Sequence, residues 1–324
     1  MTRRLFLHTL AAGLAAFSLA GTASAQAAGW PVRPVKIIVP FGAGSGNDLV
    51  ARLLADRLSR TLGQPFIVDN RVGANGSIGA DAVARSAPDG YTLFVTTNTT
   101  QAANPSLMKK LNYDPIKDFT PISRIANTPA LLVVHPSVPA RSVTELITLA
   151  KSQPGKLSYA SGSAGTLVPG AMLTNAAGID MLHVPYKTIP QALNDVVAGQ
   201  VQMMFTDMAT GLPQVKAGKV RAIGISSLQS AASLPDVPPI ARVLPGFELL
   251  AWYALYAPAG TPQTIIDRLN VETRSVLANQ EVRERFAGLG LEPVSSSPQE
   301  LATFGRNELV KWGKLIKQAG IEPE

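Results

Sequence analysis

A chain of 324 residues with no cysteine, 29 lysines and arginines and 22 aspartates and glutamates carries a formal charge of +7 at neutral pH. That composition excludes disulfides and thiolate chemistry, and scattered basic residues without a long Lys/Arg run exclude a nucleic-acid footprint while leaving a bias toward anionic small molecules. The length exceeds the usual single-domain size, so two domains are expected.

The first segment is Thr2-Arg3-Arg4-Leu5-Phe6-Leu7, an Ala/Leu/Gly-rich run, and Ala23-Ser24-Ala25. Positive charge, a short apolar stretch and small residues before a cut are the parts of a bacterial export signal. The paired arginines suggest the twin-arginine route, on which a protein crosses already folded; an ordinary Sec signal is the alternative. Both routes predict a periplasmic protein cut near Ala25, with residues 1–25 as the signal peptide. Removing them takes away Arg3 and Arg4 and leaves 27 basic against 22 acidic side chains, a formal +5. No cysteine follows the cut to carry lipid, and no later stretch is long and apolar enough to cross a bilayer.

The body alternates short apolar runs with amphipathic segments. Val35–Val39 reads as a strand, then comes a glycine-rich turn, then a helix over Asn47–Leu62 with Leu49, Val50, Leu53, Leu54 and Leu58 on one face. A second strand fits Phe66–Asp69, a helix follows from about Ser77 to Ser86, and Tyr91–Thr96 makes a third strand. Such alternation implies a parallel sheet covered on both faces. The pattern restarts after Asn127-Thr128-Pro129 with a buried-type strand, Ala130–Val134, and a helix opened by Ser142-Val-Thr-Glu145 at capping-box spacing. It continues through Leu157–Ala160, a helix near Met172–Ala177, Leu182–Val184, a helix from about Pro190 to Ala198, Val201–Phe205 and Val220–Ile225. An apolar segment, Leu250–Ala257, precedes two long helices that start at Thr261-Pro262 and Ser297-Pro-Gln-Glu300. If these helices pack back on the first domain, the chain crosses near Asn127 and Leu250. Domain 1 is then 26–127 with 252–324, domain 2 is 128–251, and a hinge and cleft lie between them.

In such sheets ligands sit at the carboxyl ends of strands, where helix starts attract anions. In Pro40–Asp48 the glycines free several amides and the helix near Asn47 adds its positive end, which suits a carboxylate or phosphate; the plain alternative is a tight turn capped by Asn47 or Asp48. A dinucleotide site is the rival, since Gly42-x-Gly44 follows a strand and Asp69 ends the next. Its expected third glycine falls on Asn47. A hydrolase is disfavoured because no Gly-x-Ser-x-Gly occurs and only His135 and His183 remain after Ala25. Two separated histidines and no calcium-loop spacing argue against a metal. Further polar loops follow later strands: Thr96–Thr100, Ser161–Thr166, Pro185–Thr188 and Thr206-Asp207. Hydroxyls, amides and glycine N–H groups spread over both domains are what a binding protein needs to hold a carboxylate without acting on it.

Val39-Pro-Phe41 with the glycine loop and Asp48, Asp69-Asn-Arg71 with Gly73-Ala-Asn-Gly-Ser-Ile-Gly-Ala80, and Ala87-Pro-Asp-Gly-Tyr-Thr92 resemble the Bug (TctC) family, the extracytoplasmic solute receptors of tripartite tricarboxylate transporters. The resemblance runs through Asn104-Pro105, Tyr113-Asp-Pro115, Asp118-Phe119, His183-Val-Pro-Tyr-Lys187, Ala198-Gly-Gln200, Ala257-Pro-Ala-Gly-Thr-Pro262 and Lys311-Trp-Gly313. It implies an α/β periplasmic-binding-protein fold of the second type, with two lobes, a hinge and a ligand cleft. The loops after the first and third strands would form pincers on a ligand carboxylate: Phe41, Gly42, Ala43, Gly44, Ser45, Asn47 and Asp48, then Thr97, Asn98 and Thr99. The second lobe would add Ser161, Ser163, Gly165, Thr166, Thr188 and Asp207. Departures occur at Gly44-Ser45, at Asn47, at the shortened Leu167–Met172 and at Lys187-Thr188-Ile189-Pro190. Leu167 and Ile189 would make the far end of the site more apolar, toward a larger or aromatic carboxylate. The implied function is a monomeric, non-enzymatic receptor without cofactor that delivers a di-, tri- or aromatic carboxylate to membrane permease subunits. A sensory partner of a membrane kinase and an exported NAD(P)-dependent oxidoreductase are the alternatives.

Overall fold

Three parallel strands begin the first lobe: β1 (Val35–Val39), β2 (Phe66–Asn70) and β3 (Thr92–Thr97), in the order β2-β1-β3. This computed structural model describes residues 29–324, so the expected export signal lies outside the described residues. Helix α1 (Gly46–Leu62) links β1 to β2 and buries Val50, Ala51, Leu54, Ala55 and Leu58 against the sheet. Ser45 caps it by accepting the Asp48 amide, and Gly63 ends it in a left-handed turn. Helix α2 (Ser77–Ala84) follows β2, while β3 runs into a π-helical turn, Thr99–Ala103, and the short α3 (Asn104–Leu107).

The next strand is far longer than its apolar run predicts. Strand β4 spans Phe119–Val134, because Thr120–Thr128 pairs in the sheet despite Pro121 and Pro129. Register shifts between Pro121 and Ser123 and between Arg124 and Ala126 absorb the irregularity that proline brings to a ladder. Its Ala130–Val134 end belongs to the second lobe, with β5 (Ser158–Ser161), β6 (Leu182–Pro185), β7 (Met203–Asp207) and β8 (Arg221–Ile225). Helices α4 (Val143–Ser152), α5 (Ala164–Ala177), α6 (Ile189–Val197) and α7 (Met208–Lys216) cover that sheet.

Strand β9 (Leu250–Pro258) returns antiparallel between β3 and β4, so the full order is β2-β1-β3-β9-β4-β7-β5-β6. The chain thus passes between lobes along β4 and again at Leu249–Leu250, where the Leu249 amide donates to Ser226 and Leu250 pairs with Pro129. Helices α8 (Gln263–Ala278) and α9 (Gln280–Gly288), strand β10 (Glu292–Pro293) and helix α10 (Pro298–Gln318) complete the chain. Ile266, Leu269 and Leu277 share a core with β1 and α1, and Leu301, Trp312 and Ile316 share one with Ile38, Phe94 and Trp252. Glu308 of α10 is buried where the indoles of Trp252 and Trp312 both donate to its Oε2, at 2.9 and 3.0 Å. Burying a carboxylate needs such donors.

Candidate ligand cleft between the lobes

Helix starts from both lobes converge on one cavity: α1 after Ser45, α5 after Ser163, α7 after Asp207, with Ile189 at the start of α6 on the wall. Each brings amide N–H groups and the positive end of a helix dipole. The cavity offers about 40 Å³ to the centres of water-sized molecules, room for a few waters. Of the residues anticipated from sequence, Phe41, Ser45, Asn47, Thr97, Asn98, Thr99, Ser163, Gly165, Thr166 and Asp207 line it together. No lysine, arginine or histidine does.

Two lining side chains have polar atoms without a partner. Asn47 donates to the Val95 carbonyl at 3.0 Å, which leaves its Oδ1 unpaired, and Asn98 has an unpaired Nδ2; both residues are buried. Unpaired buried polar atoms are costly, so a cavity edged by them is one built to receive a polar partner.

Asp48 shapes this site from behind. Its carboxylate accepts from the Gly44 amide at 3.0 Å, from Arg52 Nε at 2.9 Å and from Asn70 Nδ2 at 2.9 Å. Burial works to raise its pKa, but those donors outweigh burial and hold the carboxyl below its ordinary range. Asp48, like Gly42, Ala43 and Gly44, does not line the cavity.

The second lobe spends most of its polar atoms on its own helices. Thr166 Oγ1 accepts the amides of Gly162 and Ser163 at 2.9 and 3.1 Å, and Thr188 caps α6 by accepting the Gln191 amide. Thr188 also packs its methyl against Gly42 of the first lobe. Ser161 meets His183 Nε2 at 2.8 Å in a separate, wider groove of about 720 Å³, which shares Ser163 with the cleft. Burial lowers the His183 pKa, and its ring stacks on Tyr159 at 5.0 Å.

Asp207 is one point where the lobes meet. Its Oδ1 accepts the amide and the hydroxyl of Thr210, both at 2.9 Å, and it takes the Gly46 amide from across the cleft. A Cβ on Gly46 would stand 2.5 Å from both Asp207 Oδ1 and the Tyr253 hydroxyl, so only glycine permits this approach. Burial pushes the Asp207 carboxyl up against the pull of these donors. Burial and then the nearby Asp207 charge raise the Tyr253 phenol well above its usual value, keeping it a neutral donor.

The floor of the cleft was not among the residues anticipated from sequence. Thr128, Pro129 and Ala130 come from β4, and Ala251 and Tyr253 from β9. The available signal was the pair of crossing points near Asn127 and Leu250, since segments that cross between lobes must floor the space between them.

A family model described as "Tripartite tricarboxylate transporter family receptor" matches residues 50–321. The chain belongs to this receptor family. A relative from Pseudomonas sp. strain P51, a UPF0065 protein in the tcbD-tcbE intergenic region, is 37% identical over 94% of this chain and 92% of its own length. Among solved structures, Rpa4515 of R. palustris with adipate is 34% identical, with a TM-score of 0.89 over 91% of this chain and 100% of that one. MatC from Rhodopseudomonas palustris with bound malate is also 34% identical, with a TM-score of 0.84 over 89% and 100%. The fold is accordingly the two-lobed periplasmic-binding-protein fold that the receptor family shares, with its cleft between the lobes.

Proposed function

We propose that the chain is a periplasmic receptor that closes on a small carboxylate in this cleft and presents it to the permease subunits of a tripartite transporter. One observation carries the reading: Asn98 holds an unpaired amide donor, Nδ2, in a cavity edged by helix starts and free of basic side chains. Such a site stabilises an anion through neutral donors and dipoles instead of a counter-charge. Adipate in Rpa4515 and malate in MatC support the ligand class. The first lobe, 26–127 with 252–324, supplies Phe41, Ser45 and Asn47 and the loop Thr97–Thr99, with Gly42, Ala43, Gly44 and Asp48 behind them. The second, 128–251, supplies Ser163, Gly165, Thr166 and Asp207, with Ser161 and Thr188 behind them. Ligand contacts both lobes only when they are closed, so its differential affinity shifts the population toward the form the permease recognises. The chain performs no chemistry in this reading.

The test is a thermal-shift panel on the protein from Gln26 onward with mono-, di- and tricarboxylates, aromatic acids, amino acids and NAD(P). Ligand at a hundred times its dissociation constant stabilises by about 2.7 kcal/mol. A rise with one carboxylate class is expected. A rise with nucleotide alone would overturn the reading in favour of the oxidoreductase.

A further inference from the structure

Among the described residues, Ala74 and Asn75 are the two non-glycine positions with left-handed backbone, at φ 45° and 51°. L-residues rarely adopt that conformation, and two in succession persist only where the surroundings fix them. The fixing groups lie in the first lobe. Asn75 Nδ2 donates to Asn104 Oδ1 at 2.8 Å, and Asn104 Nδ2 is within 3.1 Å of the Asn75 carbonyl and the Tyr113 hydroxyl. Tyr113 in turn donates to the Thr100 carbonyl at 2.8 Å. Asn104 and Tyr113 are buried, so the strained turn stands on a rigid base.

What the turn presents to the second lobe is the side-chain amide oxygen of Asn75, Oδ1. It accepts the Ala164 amide at 3.2 Å, one of the N–H groups that the first turn of a helix leaves without an internal partner. The contact is not an isolated touch. Ala164 and Val168 of α5 are fully buried in a first-lobe core with Phe94 and Trp252, and Asn175 at the far end of α5 donates to the Gln318 carbonyl of α10. Helix α5 is therefore docked at both ends on the first lobe. Its first turn also carries Gly165 and Thr166 of the ligand cleft, and Gly165 lies close to Asn98 Nδ2.

We propose that Asn75 is a closure latch: a positioning residue that holds the first turn of α5 against the first lobe and sets how far the empty protein already lies toward the closed form. The proposal rests on the hinged-capture reading above. Opening separates Asn75 Oδ1 from the Ala164 amide, whereas closing restores a bond whose geometry the strained turn has fixed in advance. The latch thereby raises apparent affinity without touching the ligand.

Asn75→Gly tests this cleanly. Glycine accepts left-handed backbone without strain and keeps the backbone carbonyl bonded to Asn104, so the turn survives while the latch and the Asn75–Asn104 side-chain bond are lost. The chain has no cysteine, so Ala87→Cys on the first lobe and Lys151→Cys on the second can carry paired spin labels that read the interlobe distance. In ligand-free protein, Asn75→Gly is expected to lower the ratio of closed to open molecules by about three- to tenfold, the range of one net hydrogen bond. Its melting temperature should fall only slightly, through the lost Asn75–Asn104 side-chain bond, and the dissociation constant for adipate, used as probe, should rise by the same factor. An unchanged distance distribution, with or without a lower melting temperature, would overturn the latch and leave Asn75 as a turn former. If wild-type distances respond to carboxylates while Asn75→Gly behaves identically, only the latch falls. If they respond to nothing and are unaltered by the substitution, both the latch and hinged capture fall.

Discussion

The two lobes build their shares of one cleft by opposite means. On the first lobe the Asp48–Arg52–Asn70 cluster holds the glycine loop from behind, while Asn47 and Asn98 keep polar atoms unpaired toward the cavity. On the second, Thr166 and Asp207 are already engaged with amides of their own helix starts. Free hydrogen-bonding capacity lies on one side and satisfied, shape-defining groups on the other. On the proposed reading, a ligand carboxylate docks first on the first lobe, and the second lobe adds fit, exclusion of water and the protonation state of Asp207.

The sharpest way to break this contrast is Asn98→Ala. Loss of a donor to a charged acceptor should cost about 1.5–3 kcal/mol of carboxylate affinity by calorimetry, with little change in melting, since that amide has no partner to lose in the empty protein. Thr166→Ala should do the reverse, lowering the melting temperature more than the affinity; if it proves as damaging to binding as Asn98→Ala, the division of labour is wrong. Gly46→Ala comes next. The added methyl meets Asp207 across the cleft and the Tyr253 hydroxyl within the first lobe, so overpacking of about 1–3 kcal/mol should appear in binding through Asp207 and, through Tyr253, as a smaller loss of melting temperature in the empty protein.

Smaller is the pH effect. The Asp207 pKa is raised by burial in the folded protein, so this group contributes most at pH below its ordinary value of 3.8 and the contribution is lost as pH rises through the raised value. A carboxylate bound nearby pushes the same way. Affinity should thus fall as pH climbs through that raised value, with proton uptake on binding measurable in buffers of different ionisation heat. Asp207→Asn should abolish the uptake; persistence of the uptake would assign it elsewhere.

Much of the first lobe was legible because its information is local. A strand, a glycine turn and an amphipathic helix in direct succession place Phe41–Asp48, and the same logic places Thr97–Thr99 after the third strand. Local reading failed where pairing is distant. Pro121 and Pro129 look like breaks, yet both lie inside β4, which shifts register after Pro121 and pairs with residues more than a hundred positions away. Tyr253 and Thr128 floor the cleft only because that register brings them there. The role of Asp48 was also hidden, since residue type and spacing fit a ligand contact as well as a brace, and only its three donors distinguish the two.

The hinge strands bring one more consequence through Glu308. Trp252 pairs with Asn127, two residues before β4 leaves the first lobe, and its indole shares the Glu308 carboxylate oxygen with Trp312. The third tryptophan, Trp30, packs far from this point against Phe66 and Tyr91. A carboxyl group hydrogen-bonded to two indoles affects the colour of their emission, so a twist of the crossing strands is expected to register as a spectral shift. If the proposed capture moves these strands, the expected outcome is an optical gauge of opening and closing, readable in untagged protein at the speed of a stopped-flow mixer.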